Sequence, residues 1–169
     1  MDVRTILQGQ IRTQRGIADA VLGGLTQEMS DRTPPGQTNT IGTILLHVAG
    51  TDDFFLARAS GGQRVWESGD WSARIGLPNP PGRMGFWEEA NATSLPLGPV
   101  LEYGAAMRAT LDAFVAGASE DDLANRLLPT PFGEQPLANV VGLLVVHAAG
   151  HFGEIAALKG AQGAKGLPF

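Results

Sequence analysis

The chain's three histidines are the residues whose types and spacing most directly suggest chemistry. His147 and His151 lie four positions apart in the segment HAAGHFGEI, and His47 lies in a similar apolar setting, LLHVAG. On a helix, side chains at positions i and i+4 lie one turn apart on the same face, so this pair can bind one metal ion. An imidazole from a neighbouring helix would complete the three-histidine set that zinc enzymes use. The pattern therefore predicts a metal site formed by His47, His147 and His151.

Other interpretations of the histidines stay open. A histidine on an apolar helix face is often an ordinary core residue with a hydrogen-bond partner, and an i, i+4 pair can arise by chance. Burying three imidazoles without partners would, however, cost about 1–3 kcal/mol each, which favours a shared site. Haem held between histidines fits poorly, because His147 and His151 point in the same direction.

Glu154 is the candidate catalytic residue, because it follows His151 by three positions and shares its helical face. Its carboxylate could be a fourth ligand, the acceptor for an imidazole N–H, or a general base. The alternative is an ordinary surface carboxylate. Thr43, Thr51 and Phe54 lie near the helix face that carries His47. They are further candidates to line a pocket around the proposed metal site.

The composition excludes several classes of protein. Hydrophobic residues make up 43% and charged residues 17% of the 169 residues, as in ordinary globular proteins, and we expect one domain over residues 1–169. A net charge of −5 with scattered Lys and Arg does not fit a nucleic-acid partner. The N-terminal segment lacks the order of a signal peptide, and the longest apolar run, around residues 140–146, is too short to cross a membrane. We therefore expect a cytoplasmic protein with no membrane partner.

Helical periodicity of the apolar residues predicts an all-α four-helix bundle with a long irregular connection between helices 2 and 3. No segment has a convincing strand pattern, and LPTPFGEQP is interpreted as a break. The fourth helix, apolar almost all round, is expected to be the most buried. The connection, residues 62–99, holds all three tryptophans and is expected to contain short helical pieces beside an apolar pocket. Ser119 has the spacing of a helix cap. The predicted long helices span residues 3–29, 39 or 40 to 60, 100–115 and 136–159.

Together these features resemble the DinB/YfiT-like superfamily. The resemblance rests on a histidine within the second helix, His-x-x-x-His on the fourth, and the run HFGEI followed by LKGAQGAKGLPF. It covers essentially the whole chain and is weakest over residues 62–99. It implies a bundle in which His47, His147 and His151 hold one divalent ion, usually zinc or nickel. Glu154 matches a position where the family commonly has Gln or Glu.

The resemblance also implies function. Members of the superfamily often form homodimers, and characterised members include thiol-dependent S-transferases and isomerases that use bacillithiol, mycothiol or glutathione. Many other members are described as metal-dependent hydrolases. The imidazoles alone do not choose among zinc, nickel, copper and iron.

We therefore expect a divalent-metal-dependent enzyme that activates an external low-molecular-weight thiol for S-transfer to a small electrophilic substrate. The chain has no cysteine, so the thiol would have to be a co-substrate. One alternative is a metal-dependent hydrolase that activates water, with Glu154 as the base. The other is a non-catalytic, stress-related bundle that binds metal.

Overall fold

The architecture is mainly helical in the part of the chain that the computed structural model describes, residues 2–37 and 39–167. The all-α fold class predicted from the sequence is confirmed, with one small hairpin added. In chain order the elements are α1 (Val3–Leu22), α2 (Gln27–Asp31), α3 (Ile41–Ser60), α4 (Val65–Ser68), α5 (Trp71–Ile75), α6 (Phe86–Asn91), α7 (Leu97–Gly117), α8 (Glu120–Asn125), β1 (Leu127–Thr130), β2 (Gly133–Pro136) and α9 (Leu137–Ala161).

Polar side chains cap the N-termini of several helices. The Asp2 carboxylate accepts a hydrogen bond from the backbone N–H of Thr5 at 2.7 Å and so begins α1. Thr40, one of the two positions at which this helix was expected to begin, caps α3 in the same way through the N–H of Thr43 at 3.1 Å. The predicted cap at Ser119 is also present and begins α8. Each cap satisfies one of the N–H groups that a helix leaves without a partner at its start.

The helix at the centre of the packing is α3. It packs against both α7 and α9, while α9 packs in addition against α1. Thirteen of the 20 residues of α3 are buried, whereas ten of the 25 residues of α9 are. The expectation that the fourth long helix would be the most buried is therefore wrong. Apolar composition favoured α9, but burial depends on what covers each face of a helix. Helix α3 lies against α7 and α9 and beneath the connection that follows it, whereas α9 leaves Val146 69% exposed.

The first predicted helix is divided in two. We expected one helix over residues 3–29, but α1 ends at Leu22 and α2 begins at Gln27. Gly23 and Gly24 separate them, and Gly24 adopts a positive φ of 69°, which glycine tolerates without strain. The buried Lys159 of α9 donates hydrogen bonds from Nζ to the carbonyl oxygens of Val21 (2.5 Å) and Gly23 (2.8 Å). A cation thus stabilises the C-terminal end of α1.

The segment interpreted as a break forms a β-hairpin. Strands β1 and β2 pair antiparallel, with Leu127 opposite Pro136 and Thr130 opposite Gly133. The prediction of no strands was wrong here because four-residue strands containing proline carry little alternation of apolar and polar residues. The hairpin leads directly into α9.

Helix α9 is long and apolar enough to cross a membrane by length and composition, with a mean hydropathy of 1.5 over its most apolar window. It is the one such helix within residues 2–37 and 39–167, and the expectation that no apolar stretch reaches that length is corrected. In the structure α9 packs along α1 and α3, and Val140, Leu144 and Ile155 are buried. A core helix passes the same test, and this packing is that of a core helix.

Candidate metal centre

The three histidines lie together where α3 packs against α9. His47 projects from the middle of α3 and meets the His147–His151 pair of α9, although 100 residues separate His47 from His147. The Nε2 atoms of His47 and His147 lie 3.0 Å apart, and one ring nitrogen from each histidine lies within 4.8 Å of the others. The fold therefore brings the predicted ligands into one cluster.

The spacing of the nitrogens fits a shared ion. Two imidazole nitrogens bound to one tetrahedral zinc at about 2.1 Å lie roughly 3.4 Å apart. The 3.0 Å between the Nε2 atoms of His47 and His147 is close to that value. Without an ion, the same separation corresponds to a hydrogen bond between two neutral imidazoles, one donating and one accepting. Metal binding by the cluster stays a prediction. To bind one ion, the three side chains would have to bring their nitrogen atoms to about this separation.

The imidazoles of His47 and His147 are neutral at physiological pH. Burial, with a further contribution from the neighbouring histidines, lowers the pKa of His47 to about 4. Burial and the proximity of His151 lower the pKa of His147 to about 4 as well. A neutral imidazole has a free lone pair on one nitrogen, which is the form that binds metals. His47 and His147 are thus in the protonation state that a cation requires.

Glu154 contacts the cluster through His151. Its Oε2 lies 2.9 Å from Nδ1 of His151, so that Nδ1–H can donate to the carboxylate while Nε2 remains available as a ligand. Of the three roles considered for Glu154, this geometry supports that of hydrogen-bond acceptor. By contrast, the buried Nδ1 atoms of His47 and His147 have no hydrogen-bond partner among the described residues. His151 is therefore the ligand whose ring is oriented by a neighbouring carboxylate.

One of the three tryptophans reaches the site. Helix α6 places Trp87 beside His47, with ring centroids 4.6 Å apart, and Phe86 follows at 6.3 Å. The other two, Trp66 and Trp71, lie in the core against Tyr103 and do not line the site. The expectation that the tryptophan-bearing connection shapes an apolar pocket therefore applies to Trp87 alone.

A buried carboxylate anchors the connection that carries Trp87. Asp53, only 1% exposed, accepts hydrogen bonds from the backbone N–H groups of Val65 (2.7 Å) and Trp66 (3.0 Å) and from the Tyr103 hydroxyl (2.7 Å). The Arg64 guanidinium lies 3.4 Å from the same carboxylate. Four donors from the connection and α7 thus converge on one residue of α3. This network fixes where the connection leaves the bundle.

A glycine of α3 lets the connection approach closely. A Cβ atom at Gly50 would lie 2.2 Å from Cβ of Pro81, closer than any real side-chain contact. Nη2 of Arg64 donates to the carbonyl oxygens of both Gly50 (3.1 Å) and Pro81 (3.0 Å). Because Gly50 has no side chain, Pro81 can lie directly against α3, about one turn beyond His47, where the Arg64 guanidinium bridges the two backbones.

The residues expected to line the pocket near His47 divide into two groups. Thr51 and Phe54 border a groove that begins at His47. Thr43 does not border it; its side chain is fully buried and hydrogen-bonded to the Thr40 hydroxyl at 2.9 Å. Sequence reasoning missed Asp53. The acidic pair Asp52–Asp53 inside an otherwise apolar helix was the available signal, since a buried carboxylate needs either hydrogen-bond donors, as Asp53 has, or a proton.

The comparisons with known proteins identify the family. The model of the DinB superfamily matches residues 10–155, which is most of the chain. The chain therefore belongs to the DinB superfamily, as its resemblance suggested. No curated protein matches the sequence.

A solved structure shares the fold. The crystal structure of a conserved protein from Enterococcus faecalis is similar, with a TM-score of 0.80, over 95% of this chain and 97% of the other. The two sequences are 14% identical, so this similarity concerns the fold alone.

Proposed function

We propose that this protein is a metal-dependent enzyme that activates an external low-molecular-weight thiol for transfer to a small electrophile. The observation that carries the proposal is the convergence of His47, His147 and His151 within ligand distance of one another. Within residues 2–37 and 39–167, no fourth histidine or carboxylate belongs to the cluster. Structural zinc sites are normally closed by four protein ligands, whereas catalytic sites keep a position open. Three ligands therefore support a catalytic role.

The side chains around the cluster prepare it for such chemistry. A divalent ion held there would supply a Lewis acid that lowers the pKa of a bound thiol or water. His47 and His147 are held neutral by burial, so their lone pairs are available at neutral pH. Glu154 orients His151 through Nδ1, and Trp87 packs against one side of His47.

The position of Glu154 supports thiol transfer over hydrolysis. Hydrolysis would require a base directed at the attacking water, but the Glu154 carboxylate is bonded to the far side of the His151 ring. A thiol has a much lower pKa than water and needs no additional base once it is bound as a thiolate. The chain provides no cysteine, so the thiol must come from solution.

The metal site can be tested by elemental analysis of purified protein. We expect about one equivalent of a divalent metal in the wild type and its loss in both His47→Ala and His151→Ala. Arg32→Gln, at an exposed arginine, is the control and should retain the metal. We expect Glu154→Gln to weaken metal binding about 10–100-fold, as is usual when a carboxylate that orients a ligand is removed. Unchanged metal content in either histidine variant would remove that residue from the site.

The reaction can be tested with a chromogenic electrophile. Incubation of the metal-loaded protein with 1-chloro-2,4-dinitrobenzene and each of glutathione, bacillithiol and mycothiol should form the thioether and release chloride. The chelated protein should be inactive, and metal restoration should recover the activity. Metal-dependent cleavage of ester or amide substrates without any thiol, together with no thioether formation, would instead assign the site to hydrolysis.

A further inference from the structure

A groove runs from the metal centre along α3. It has a volume of about 410 Å³, within the range of small-molecule binding sites, and lies between α3, the connection near Gly82 and the hairpin. Its lining is mostly apolar and includes Phe54, which is 41% exposed. The groove therefore offers an open apolar surface that begins at His47.

A single cation lies at the other end. Of the described residues that line the groove, Arg58 alone carries a formal charge at neutral pH. Its guanidinium lies over the Phe54 ring, 5.3 Å from the centroid. No carboxylate lies within 4.0 Å of Arg58 in the part of the chain that the structure describes. A guanidinium without an anionic partner, at the end of an apolar groove, is suited to a carboxylate ligand.

The distance between the two ends sets the length of the ligand. Phe54 follows His47 by seven residues, which is roughly 10 Å along a helix. The Arg58 side chain folds back towards His47, because its guanidinium lies over the Phe54 ring. The cation is therefore at about the level of Phe54 along α3. A ligand with one end at His47 and a carboxylate at Arg58 must therefore be extended and apolar in between.

We propose that the groove binds an apolar carboxylate, with the anionic end at Arg58 and the reacting end at the three histidines. This inference rests on the proposed function, since it names the class of molecule that reaches the same metal centre. The carboxylate is assigned to the electrophile. A thiol such as glutathione is also a carboxylate, but it is polar along its whole length and does not match the apolar lining of the groove. Arg58 is then a specificity-determining residue that selects anions over neutral molecules.

The test is a calorimetric titration of the metal-free protein with octanoate and with octanamide, which has the same apolar body without the charge. We expect octanoate to bind more tightly. Arg58→Gln should raise the Kd for octanoate about five-fold and leave that for octanamide unchanged, as for the loss of one ion pair at an exposed arginine. Arg58→Lys should recover part of the affinity because it keeps the charge. Arg32→Gln is the matched control and should bind like the wild type.

A parallel titration with glutathione separates the two sources of the carboxylate. A loss of affinity on Arg58→Gln that is found with glutathione instead of octanoate would overturn the proposal, because glutathione would then place a carboxylate at Arg58 without an apolar body in the groove. A loss found with octanoate assigns the anionic end to the electrophile. Equal binding of octanoate and octanamide, no effect of Arg58→Gln on either anion, or no binding of either anion would overturn the proposal. These measurements need neither metal nor turnover, so failure of the proposed function shows separately in the metal analysis and the thiol assay.

Discussion

Asp52, the neighbour of the anchoring Asp53, should make the protein's stability depend on pH in an unusual direction. Asp52 is 9% exposed and lines a cavity of about 50 Å³ that is enclosed mainly by apolar side chains of the four long helices. Its Oδ1 has no hydrogen-bond partner among the described residues. Burial raises the pKa of Asp52 from 3.8 to about 7, against a lowering influence of Arg15 and with a small further rise from Asp53.

The size of the effect follows from this pKa. Between pH 3.8 and about 7 the folded protein keeps a proton on Asp52 that the unfolded chain has lost. The free energy of unfolding therefore falls as pH rises through this interval. Because one pKa unit corresponds to about 1.4 kcal/mol, the ionised carboxylate destabilises the folded protein above pH 7 by about 4 kcal/mol relative to the protonated one. Asp52→Asn has no such charge at any pH.

Urea unfolding of wild type and Asp52→Asn from pH 4 to pH 8, with a chelator in every sample, measures this contribution. The stability of the variant minus that of the wild type should rise between pH 4 and pH 7, by up to about 4 kcal/mol, and then level off. Taking the difference cancels the titration of the other groups. Asp19→Asn, at an exposed aspartate of α1, is the matched control and should show a much smaller change. A difference for Asp52→Asn that does not vary with pH would refute the reasoning, because it would mean that Asp52 ionises equally easily in both states.

Three further predictions concern the anchoring of the connection and the assembly of the chain. Tyr103→Phe should lower the free energy of unfolding by about 1.5–3 kcal/mol in urea titrations, because the buried Asp53 carboxylate loses a hydrogen bond; a change within error would contradict that role. Gly50→Ala should destabilise by about 1–3 kcal/mol through the clash with Pro81, whereas the better helix propensity of alanine alone would stabilise. We also propose that the protein is a homodimer formed through the open face of α1 and α9, where Val146 is 69% exposed. Sedimentation velocity should then show a dimer for the wild type and a monomer for Val146→Glu; a monomeric wild type would reject the dimer.

The local features of the fold were predictable from the sequence because they depend on residues close together in the chain. The period of the apolar residues indicated the four long helices, and hydrogen-bonding side chains at Thr40 and Ser119 indicated where two helices begin. The predicted ends of the helices were less accurate, as the division of the first predicted helix at Gly23 shows. The hairpin and the relative burial of α3 and α9 were not predicted, because both depend on which elements pack together.

The candidate site was predictable in part for the same reason. Helical spacing by itself places His147 and His151 on one face, and the absence of cysteine by itself requires any thiol to be a co-substrate. The structure brings His47 to that pair, as the hypothesis required, while metal binding remains a prediction for elemental analysis.

What the sequence by itself determined was the helical class, the histidine pair and the chemistry that the side chains permit. Only the tertiary structure decided that α3 lies against α9, that Trp87 packs beside His47, and that the Glu154 carboxylate is hydrogen-bonded to His151 Nδ1. It also decided that a groove connects His47 to Arg58. The physical reason is the distance along the chain over which each interaction acts. Periodicity and capping act over one or two helical turns, whereas the approach of side chains 100 residues apart depends on how the whole core packs.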